Sequence, residues 1–338
     1  MSSTRPCAAA PPNNTSMALE LHIYSAGNAD AIALRLPDSK WAVIDCGLDD
    51  GHAFVDYLRE RGCEALAFIV LTHPDADHYL GLHAVLEQFS EVDAFWMPDE
   101  WDRGKAALRD LLLHHIHPRV KLRRLRAHYA RAKDRLYSLP GHRFDAIALS
   151  PVDHDRWMAH RALDQARLRA RAAPSANRLS LVLLIRYGAV NLLLGSDAEI
   201  STWKVIADSL RETSSDEREA HIIKIPHHGS RDSWDASVMS ILLRHDQFIA
   251  VVSAQGNRRT SPAREVLCEL TDLGAEVYCT GRSLHCVPGW VPGTECCGHV
   301  QVTIDDGGGI NTQTEGAGRQ SGTGYCNIVY RKATQARC

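Results

Sequence analysis

Two histidines and two aspartates fall within six residues of this 338-residue chain, at His73-Pro-Asp75-Ala-Asp77-His78. Imidazole and carboxylate hold zinc, iron or manganese, and no cysteine stands close enough in sequence to suggest a thiolate site. Four such groups in so short a loop can serve two ions, with His73 and Asp75 facing one and Asp77 and His78 the other. Two ions about 3.5–4 Å apart activate a water and clamp an in-line displacement. A plainer reading of the same residues is a polar helix start, with Asp77 as its cap and the histidines exposed.

Something rigid must position these side chains. Ala65 to Leu71 is short, apolar and contains Ile69 and Val70, which predicts a buried strand ending just before Pro74. Past the loop, Leu82, Val85, Leu86 and Phe89 recur at helical spacing. Leu19–Tyr24 and Ala31–Leu36 read as an antiparallel hairpin, Trp41–Asp45 as a third strand and His52–Arg59 as an amphipathic helix over the sheet. Further strands are expected at Phe144–Pro151, Asn177–Tyr187, Ala189–Leu194, His221–Pro226, Phe248–Ser253, Ala275–Cys279 and Gly298–Ile304, with a helix over Pro262–Leu273. Two of these strands end as the one before His73 does, in Gly195-Ser-Asp197 and in His227-His228-Gly229-Ser230.

In this order the motifs resemble those of the metallo-β-lactamase fold hydrolases, whose signature is H-x-H-x-D-H. They are most similar to the branch that includes the C-terminal domain of the DNA-uptake protein ComEC, where the second histidine is an aspartate. Ser25-Ala-Gly-Asn-Ala-Asp-Ala31 and Val43-Ile-Asp45-Cys-Gly47 stand where that branch has its opening strands. Leu192–Glu199 and Lys224–Ser230 stand at its later metal motifs, so the resemblance runs over residues 19–305.

The resemblance implies an α/β fold, a four-layer αββα sandwich (the metallo-β-lactamase fold), with two divalent metal ions, zinc or manganese, at one edge. Its ligands would be His73, Asp75, Asp77, His78, Asp197 and His227, with Asp197 bridging. Asp77 and His228 would be catalytic, His228 in the outer shell or as proton donor to the leaving oxygen. Chain order does not decide which of the two histidines binds. Gly229 and Ser230 would offer backbone N–H groups and a hydroxyl to a phosphate oxygen, or form an ordinary turn. Asp45 either supports the site from behind or is a turn aspartate before Gly47, and Asp30 lies at a similar turn. His154 stands where many enzymes of this fold carry a further histidine, although an exposed loop is the better reading. Ser261 replaces the histidine that ComEC-like proteins carry before the equivalent of Pro262, and Ser253 is a phosphate contact or a satisfied interior hydroxyl.

Charge adds a second signal. The net charge is only -3, yet Arg103 to Arg143 holds twelve Lys or Arg against Asp110 and Asp134. A second basic helix is expected from Arg156 to Arg171, carrying Arg161, Arg167 and Arg169. A basic face beside a metal site suits a polyanion, and Arg123 and Arg124 are its candidate substrate contacts. Such runs are also common on solvated helix faces.

With 45% hydrophobic and 23% charged residues, the composition is that of an ordinary globular protein. No apolar run reaches the roughly 18 residues of a membrane span. Met1 to Ser16 reads as a disordered leader, with Met17 as an alternative start, and 17–338 as one domain. Within it, 101–178 is expected as a basic helical insertion and about 280–338 as a Gly-rich, Cys-containing tail. Ten cysteines without a secretory signal point to a reducing, cytoplasmic setting. The tail's Cys279, Cys286, Cys296, Cys297, Cys326 and Cys338 lack paired C-x-x-C spacing and read as free thiols. Gly307–Gly324 reads as a flexible loop before a short strand at Asn327–Arg331.

The expected activity is a binuclear phosphodiesterase or nuclease acting on nucleic acid or nucleotide, using a water whose pKa the ions lower from roughly 15.7 toward ~7. Hydrolysis of a lactone, thioester or β-lactam stays open. So does a metal-binding module without turnover that docks a partner protein in a larger assembly.

Overall fold

Leu19, Leu21 and Ile23 alternate along the first strand with Glu20 and His22, and this period of two recurs through most of the strands. The computed structural model describes residues 18–27, 29–98, 106–168, 176–254, 261–281 and 298–316. Its strands begin with β1 (Leu19–Ile23), β2 (Ala31–Arg35), β3 (Trp41–Cys46), β4 (Leu66–Val70), β5 (Val92–Pro98) and β6 (Arg126–Ala130). Next come β7 (Arg135–Leu139), β8 (Phe144–Ala148), β9 (Leu183–Tyr187), β10 (Val190–Leu194) and β11 (Ile222–Lys224). The last are β12 (Phe248–Val252), β13 (Ala275–Cys279), β14 (Gly298–Ile304) and β15 (Ile310–Gly316). They form two sheets, ordered β15-β14-β1-β2-β3-β4-β5-β6 and β13-β12-β11-β10-β9-β8-β7.

The sheets face each other across one core. Leu21, Ile32, Leu34, Phe68 and Val70 meet Leu183, Ile185, Leu192, Leu194 and Ile222 there. The alternate residues point outward. Val43, Ile69 and Phe95 of the first sheet pack against Phe54 and Leu58 of the helix His52–Glu60 and Val85 and Leu86 of the helix Leu82–Gln88. On the second sheet, Leu193, Ile223 and Ala250 pack against Trp203, Met239 and Leu267, from the helices Ile200–Leu210, Ala236–Leu242 and Arg264–Asp272. These four layers are the expected αββα sandwich. No helix of the described residues is long and apolar enough to cross a membrane.

Strands β3 to β6 run parallel, as do β10 to β13. Parallel sheets present ligand-binding loops at the carboxyl ends of their strands. Asp45, His73, Asp197 and His227 stand at the carboxyl ends of β3, β4, β10 and β11. Two contacts tie the sheets together at this edge. Leu181 N donates to Thr72 O at 2.8 Å, and Lys224 Nζ donates to Asp30 Oδ2 at 2.9 Å.

The stretch expected as a helical insertion over 101–178 is built into both sheets instead. Helical turns at Ala106–Leu111, Leu112–Ile116 and His117–Lys121 lead into β6, which edges the first sheet, and then into β7 and β8 of the second. An edge strand with exposed faces carries charge rather than apolar alternation, so Arg126-Ala-His-Tyr-Ala130 does not look like a strand in sequence. The helix that follows spans Asp153–Leu168, and Arg169 and Arg171 lie outside the described residues. The loop expected over 307–324 contains β15, whose threonines suit the pleat although they are polar. The leader 1–16, Thr260, Cys286, Cys296, Cys297, Cys326, Cys338 and the strand expected at Asn327–Arg331 also lie outside. Cys46 and Cys63 are free thiols, whereas Cys268 is disulfide-bonded, which departs from the reducing setting expected from the sequence.

Candidate metal centre

Strand β4 is buried along its whole length, and the chain leaves it with Thr72 and His73 still in the core. Asp75 starts the short helix Ala76–Tyr79 without using its carboxylate as a cap. That turn carries Asp77 and His78 back toward the strand ends. Asp197 is not a cap either, since the helix after it begins at Ile200.

Asp197 lies between two groups of donors. His73 Nε2 stands 3.6 Å from Asp75 Oδ2 and 3.7 Å from Asp197 Oδ2, and His227 Nε2 stands 3.7 Å from the same Asp197 oxygen. On the other side, His78 Nε2 lies 3.5 Å from Asp197 Oδ1, and His228 Nε2 lies 3.7 Å from Asp77 Oδ2. Donor atoms of Asp77, His78, Asp197 and His228 all fall within 4.8 Å of one another.

These separations are long for hydrogen bonds. They suit donors sharing an ion, because ligands at about 2.0–2.2 Å from one metal stand roughly 3–3.6 Å apart. The Nε2 atoms of His73, His78 and His228 and Oδ1 of Asp197 are all buried without a hydrogen-bond partner. Orphaned buried groups cost about 1–3 kcal/mol each, and a divalent cation would relieve all four. The donor set therefore fits divalent metal.

Backbone strain places the two adjacent histidines. His227 and His228 have φ of 47° and 56°, and Gly229 follows at 80°. Left-handed backbone costs about 1–2 kcal/mol per residue with an L side chain. Here it sends neighbouring rings to different donor groups. Asp45 and Ser196 are also left-handed, at 60° and 47°, so strain gathers at this edge as it does at functional sites. Gly47 is needed for a different reason. A Cβ there would lie 1.7 Å from the Asp77 carbonyl oxygen.

A layer of partners holds the rings from behind. Asp45 accepts from Thr72 N at 2.7 Å, from Thr72 Oγ1 at 2.5 Å and from His78 Nδ1 at 2.7 Å. His78 thus keeps its proton on Nδ1 and turns Nε2 toward Asp197. Ser196 Oγ donates to Thr72 Oγ1 at 2.7 Å and lies 3.5 Å from His73 Nδ1, and Ser233 Oγ lies 3.2 Å from His227 Nδ1. Burial would raise the Asp197 carboxyl, but the imidazoles of His78, His73 and His228 outweigh it and hold the group well below the usual carboxylate range. Burial would likewise lower His78, and the Asp45 and Asp197 carboxylates overturn that and hold it well above its ordinary value.

His73, Asp75, Asp77, His78, Asp197 and His227 thus come together, and His228 joins them. The expectation that His228 acts from outside as a proton donor does not suit its position. It is 1% exposed, with Nε2 toward Asp77 and Nδ1 toward Asp30. Gly229 and Ser230 sit at the tip, but Ser230 N–H donates to His227 O at 2.9 Å and is not available to a phosphate.

Arg123 and Arg124 are not at the centre. Arg126 pairs with Ala94, which pairs with Phe68, and His73 lies five residues further along, roughly 16 Å at about 3.3 Å per residue. The two arginines precede Arg126 and so sit at the opposite end of the sheet. His154 is exposed beside Trp157 and is not one of the clustered donors, and Ser253 Oγ is buried with no partner.

Lys224, Thr72, Ser196 and Ser233 escaped the sequence reading as working residues. Only Lys224 gave a signal, as a cation inside the apolar run Ile222-Ile-Lys-Ile225. A cleft of about 520 Å³ opens beside His227, lined by Asn177, Arg178, Glu199, Ile200, Ser201 and Asp232.

A His/Asp donor cluster at the carboxyl ends of parallel strands, in an αββα sandwich, is the arrangement expected of the metallo-beta-lactamase fold. Residues 25–94, from Ser25 through Asp30, Asp45 and the whole His73–His78 loop, match the metallo-beta-lactamase superfamily. No curated protein matches the chain. Among solved structures it is similar to a diphosphatase of the PhnP family, at 14% identity over 70% of this chain and 87% of that one, with a TM-score of 0.38. It is also similar to Zn(2+)-bound PqqB from Methylobacterium extorquens (9% identity, 74% and 84% covered, TM-score 0.45) and to unliganded yeast PDE1 (11%, 77% and 97%, 0.44).

Proposed function

We propose that this chain is a metallo-hydrolase that cleaves phosphodiesters at a pair of divalent ions, zinc or manganese, as the ComEC-like motifs suggest. The observation that carries this reading is the placement of Asp197, with Oδ2 near His73 and His227 and Oδ1 near His78. His73, Asp75 and His227 would hold one ion with Asp197 Oδ2, and Asp77, His78 and His228 the other with Asp197 Oδ1. Charge supports the pair, because two divalent ions and the buried Lys224 ammonium offset the carboxylates of Asp30, Asp45, Asp75, Asp77 and Asp197.

The bound ions would supply Lewis acidity toward a phosphoryl oxygen and a water acidic enough to ionise near ~pH 7. The chain's own contribution is orientation. Asp45 fixes the His78 ring, the left-handed turn at His227–Gly229 separates the two adjacent rings, and the buried wall around Thr72 and Ser196 keeps water from the backs of the ligands. The substrate class rests on the motif order and on the basic surface of β6, where Arg123, Arg124 and Arg126 are exposed. A nucleic acid long enough to pass from the donor cluster to that end would engage both; a small diester would touch only the cluster.

One observation favours the second reading, an ester or lactone hydrolase. The cleft beside His227 sets Glu199 and Asp232 against a single cation, Arg178, which suits a weakly charged substrate. Salt separates the two, since binding that depends on several neutralised phosphates weakens steeply as salt rises.

The deciding experiment is metal content by mass spectrometry on protein purified without chelator, paired with cleavage of bis-p-nitrophenyl phosphate with Zn²⁺ or Mn²⁺ added. Near two ions per chain with metal-dependent release of nitrophenol supports the proposal. Metal without phosphodiesterase activity moves the reading to esters and lactones, and neither metal nor turnover moves it to a binding module.

A further inference from the structure

The two donor groups on either side of Asp197 are not equals. On one side the rings are backed by carboxylates. His78 Nδ1 is 2.7 Å from Asp45 Oδ2, and His228 Nδ1 faces Asp30 Oδ1 at 3.8 Å, both of these last atoms being buried with no hydrogen-bond partner. On the other side the rings are backed by hydroxyls, Ser196 behind His73 and Ser233 behind His227. Exposure sets apart one histidine only. His227 is 29% exposed, whereas His73 and His78 are at 0% and His228 at 1%. Each side has one partly exposed aspartate, Asp75 or Asp77.

Behind His228 stands a pair that the packing alone does not require. Lys224 is fully buried, and its Nζ donates to Asp30 Oδ2 at 2.9 Å and to Ile225 O at 3.1 Å. A buried ammonium is costly even when paired, and an apolar side chain of similar volume is often tolerated as well or better. What Lys224 achieves is a fixed carboxylate. Asp30 is pinned on its backbone too, with N donating to Asp77 O at 3.0 Å and O accepting from Gly47 N at 2.9 Å. Its remaining oxygen points at His228.

We propose that the two halves of the centre load in order, the Asp77–His78–His228 side first, and that Asp30, held by Lys224, sets this order by positioning His228. The proposal rests on the two-ion reading above. A histidine that ligates through Nε2 gives its Nδ1–H to an acceptor, and a carboxylate acceptor makes the ring a stronger donor to metal. Asp30 faces the His228 ring from behind, as Asp45 faces His78, but at 3.8 Å rather than at the 2.7 Å of a hydrogen bond. Asp30 and Lys224 are positioning residues, acting on metal through the ring.

The test is equilibrium dialysis of chelator-stripped protein against Mn²⁺, with bound metal counted by mass spectrometry. Wild type should take up its ions in two steps. The double variant Asp30→Asn with Lys224→Met removes both buried charges together and should weaken the first step by roughly 10- to 100-fold, leaving the second in place. Ser233→Ala should weaken only the second. Two equal steps in wild type, or an unchanged first step in a double variant shown to be folded by circular dichroism, overturns the proposal. A second readout needs neither metal nor the double variant. In ¹⁵N-histidine NMR of the stripped protein, the signals that disappear in His228→Gln should be those of an Nδ1–H tautomer, and an Nε2–H tautomer overturns the Asp30 contact. Wild type that binds no divalent ion overturns the two-ion reading and with it the loading order, while the tautomer still decides the role of Asp30.

Discussion

Asp45 Oδ2 lies 2.7 Å from His78 Nδ1, while the other nitrogen of that ring lies 3.5 Å from Asp197. The Asp45 carboxylate also receives the Thr72 hydroxyl and amide, so every bond it makes is donated to it. Asp45→Asn would set an NH₂ against one of these donors. We expect the His78 ring to turn or to move its proton to Nε2, and metal affinity to fall about 10- to 100-fold. Stability should fall as well, by about 1.5–3 kcal/mol for a charged hydrogen bond. Chelator competition reads the first effect and thermal denaturation the second; an unchanged metal affinity would remove Asp45 from behind the centre.

Asp197 is placed to act on both donor groups, so its loss should not leave a half-loaded protein. Asp197→Ala is expected to abolish turnover and to lower the content of both ions together. His78→Ala should lower metal content and remove turnover too. Full metal occupancy and rate in Asp197→Ala would show that the ligand assignment is wrong.

Arg123 and Arg124 separate the polymer from the small substrate. Because they lie at the far end of the sheet from His73, Arg123→Ala with Arg124→Ala should leave hydrolysis of bis-p-nitrophenyl phosphate unchanged. Binding of a long single or double strand should weaken, and its salt slope should drop by about one for each phosphate that is no longer neutralised. Fluorescence anisotropy at several salt concentrations measures this, and equal binding by the variant would exclude the β6 end as a nucleic-acid track.

How far the sequence carries depends on whether a feature is local. Strand β4 and the His73–His78 loop are legible because a long apolar run and its polar end are contiguous. His227 and His228 are legible as a pair, but not as ligands of separate groups, because that follows from two left-handed residues. Asp30 and Lys224 stand 194 residues apart and meet across two sheets, so neither stretch announces the other. Strands β6 and β15 are hidden for a different reason. An edge strand need not alternate apolar and polar residues, and its charges or threonines read as loop.

Gly47→Ala tests whether the aspartate loop tolerates any shift. The added Cβ would overlap the Asp77 carbonyl at 1.7 Å and its carbon at 2.1 Å, both backbone atoms. Backbone cannot rotate away as a side chain can, so the Ala76–Tyr79 turn must move and carry Asp77 and His78 with it. Overpacking of this kind costs about 1–3 kcal/mol or more. The expected result is a folded protein with a lowered melting temperature and a reduced metal content. Wild-type metal binding in the variant would mean that the loop adapts without disturbing its ligands.

His299 links the fold to pH away from the metal centre. Its ring stacks on Tyr24 at 4.1 Å and meets the edge of Tyr57 at 4.8 Å, and its Nδ1 accepts from Ser25 N at 3.0 Å. Burial, with the nearby charges of Arg61 and His22, pushes its pKa from the ordinary 6.5 down to about 4. The unfolded chain therefore takes up this proton near pH 6.5 and the folded chain only near pH 4. Between those values the unfolded state binds more protons, so stability falls as pH drops from about 6.5, and the contribution is gone below about 4. His299→Gln keeps an acceptor for the Ser25 amide but does not titrate. Melting temperatures at pH 7, 6 and 5 should fall less in this variant than in wild type. An equal fall would assign the acid sensitivity to other groups and leave the His299 ring a packing element alone.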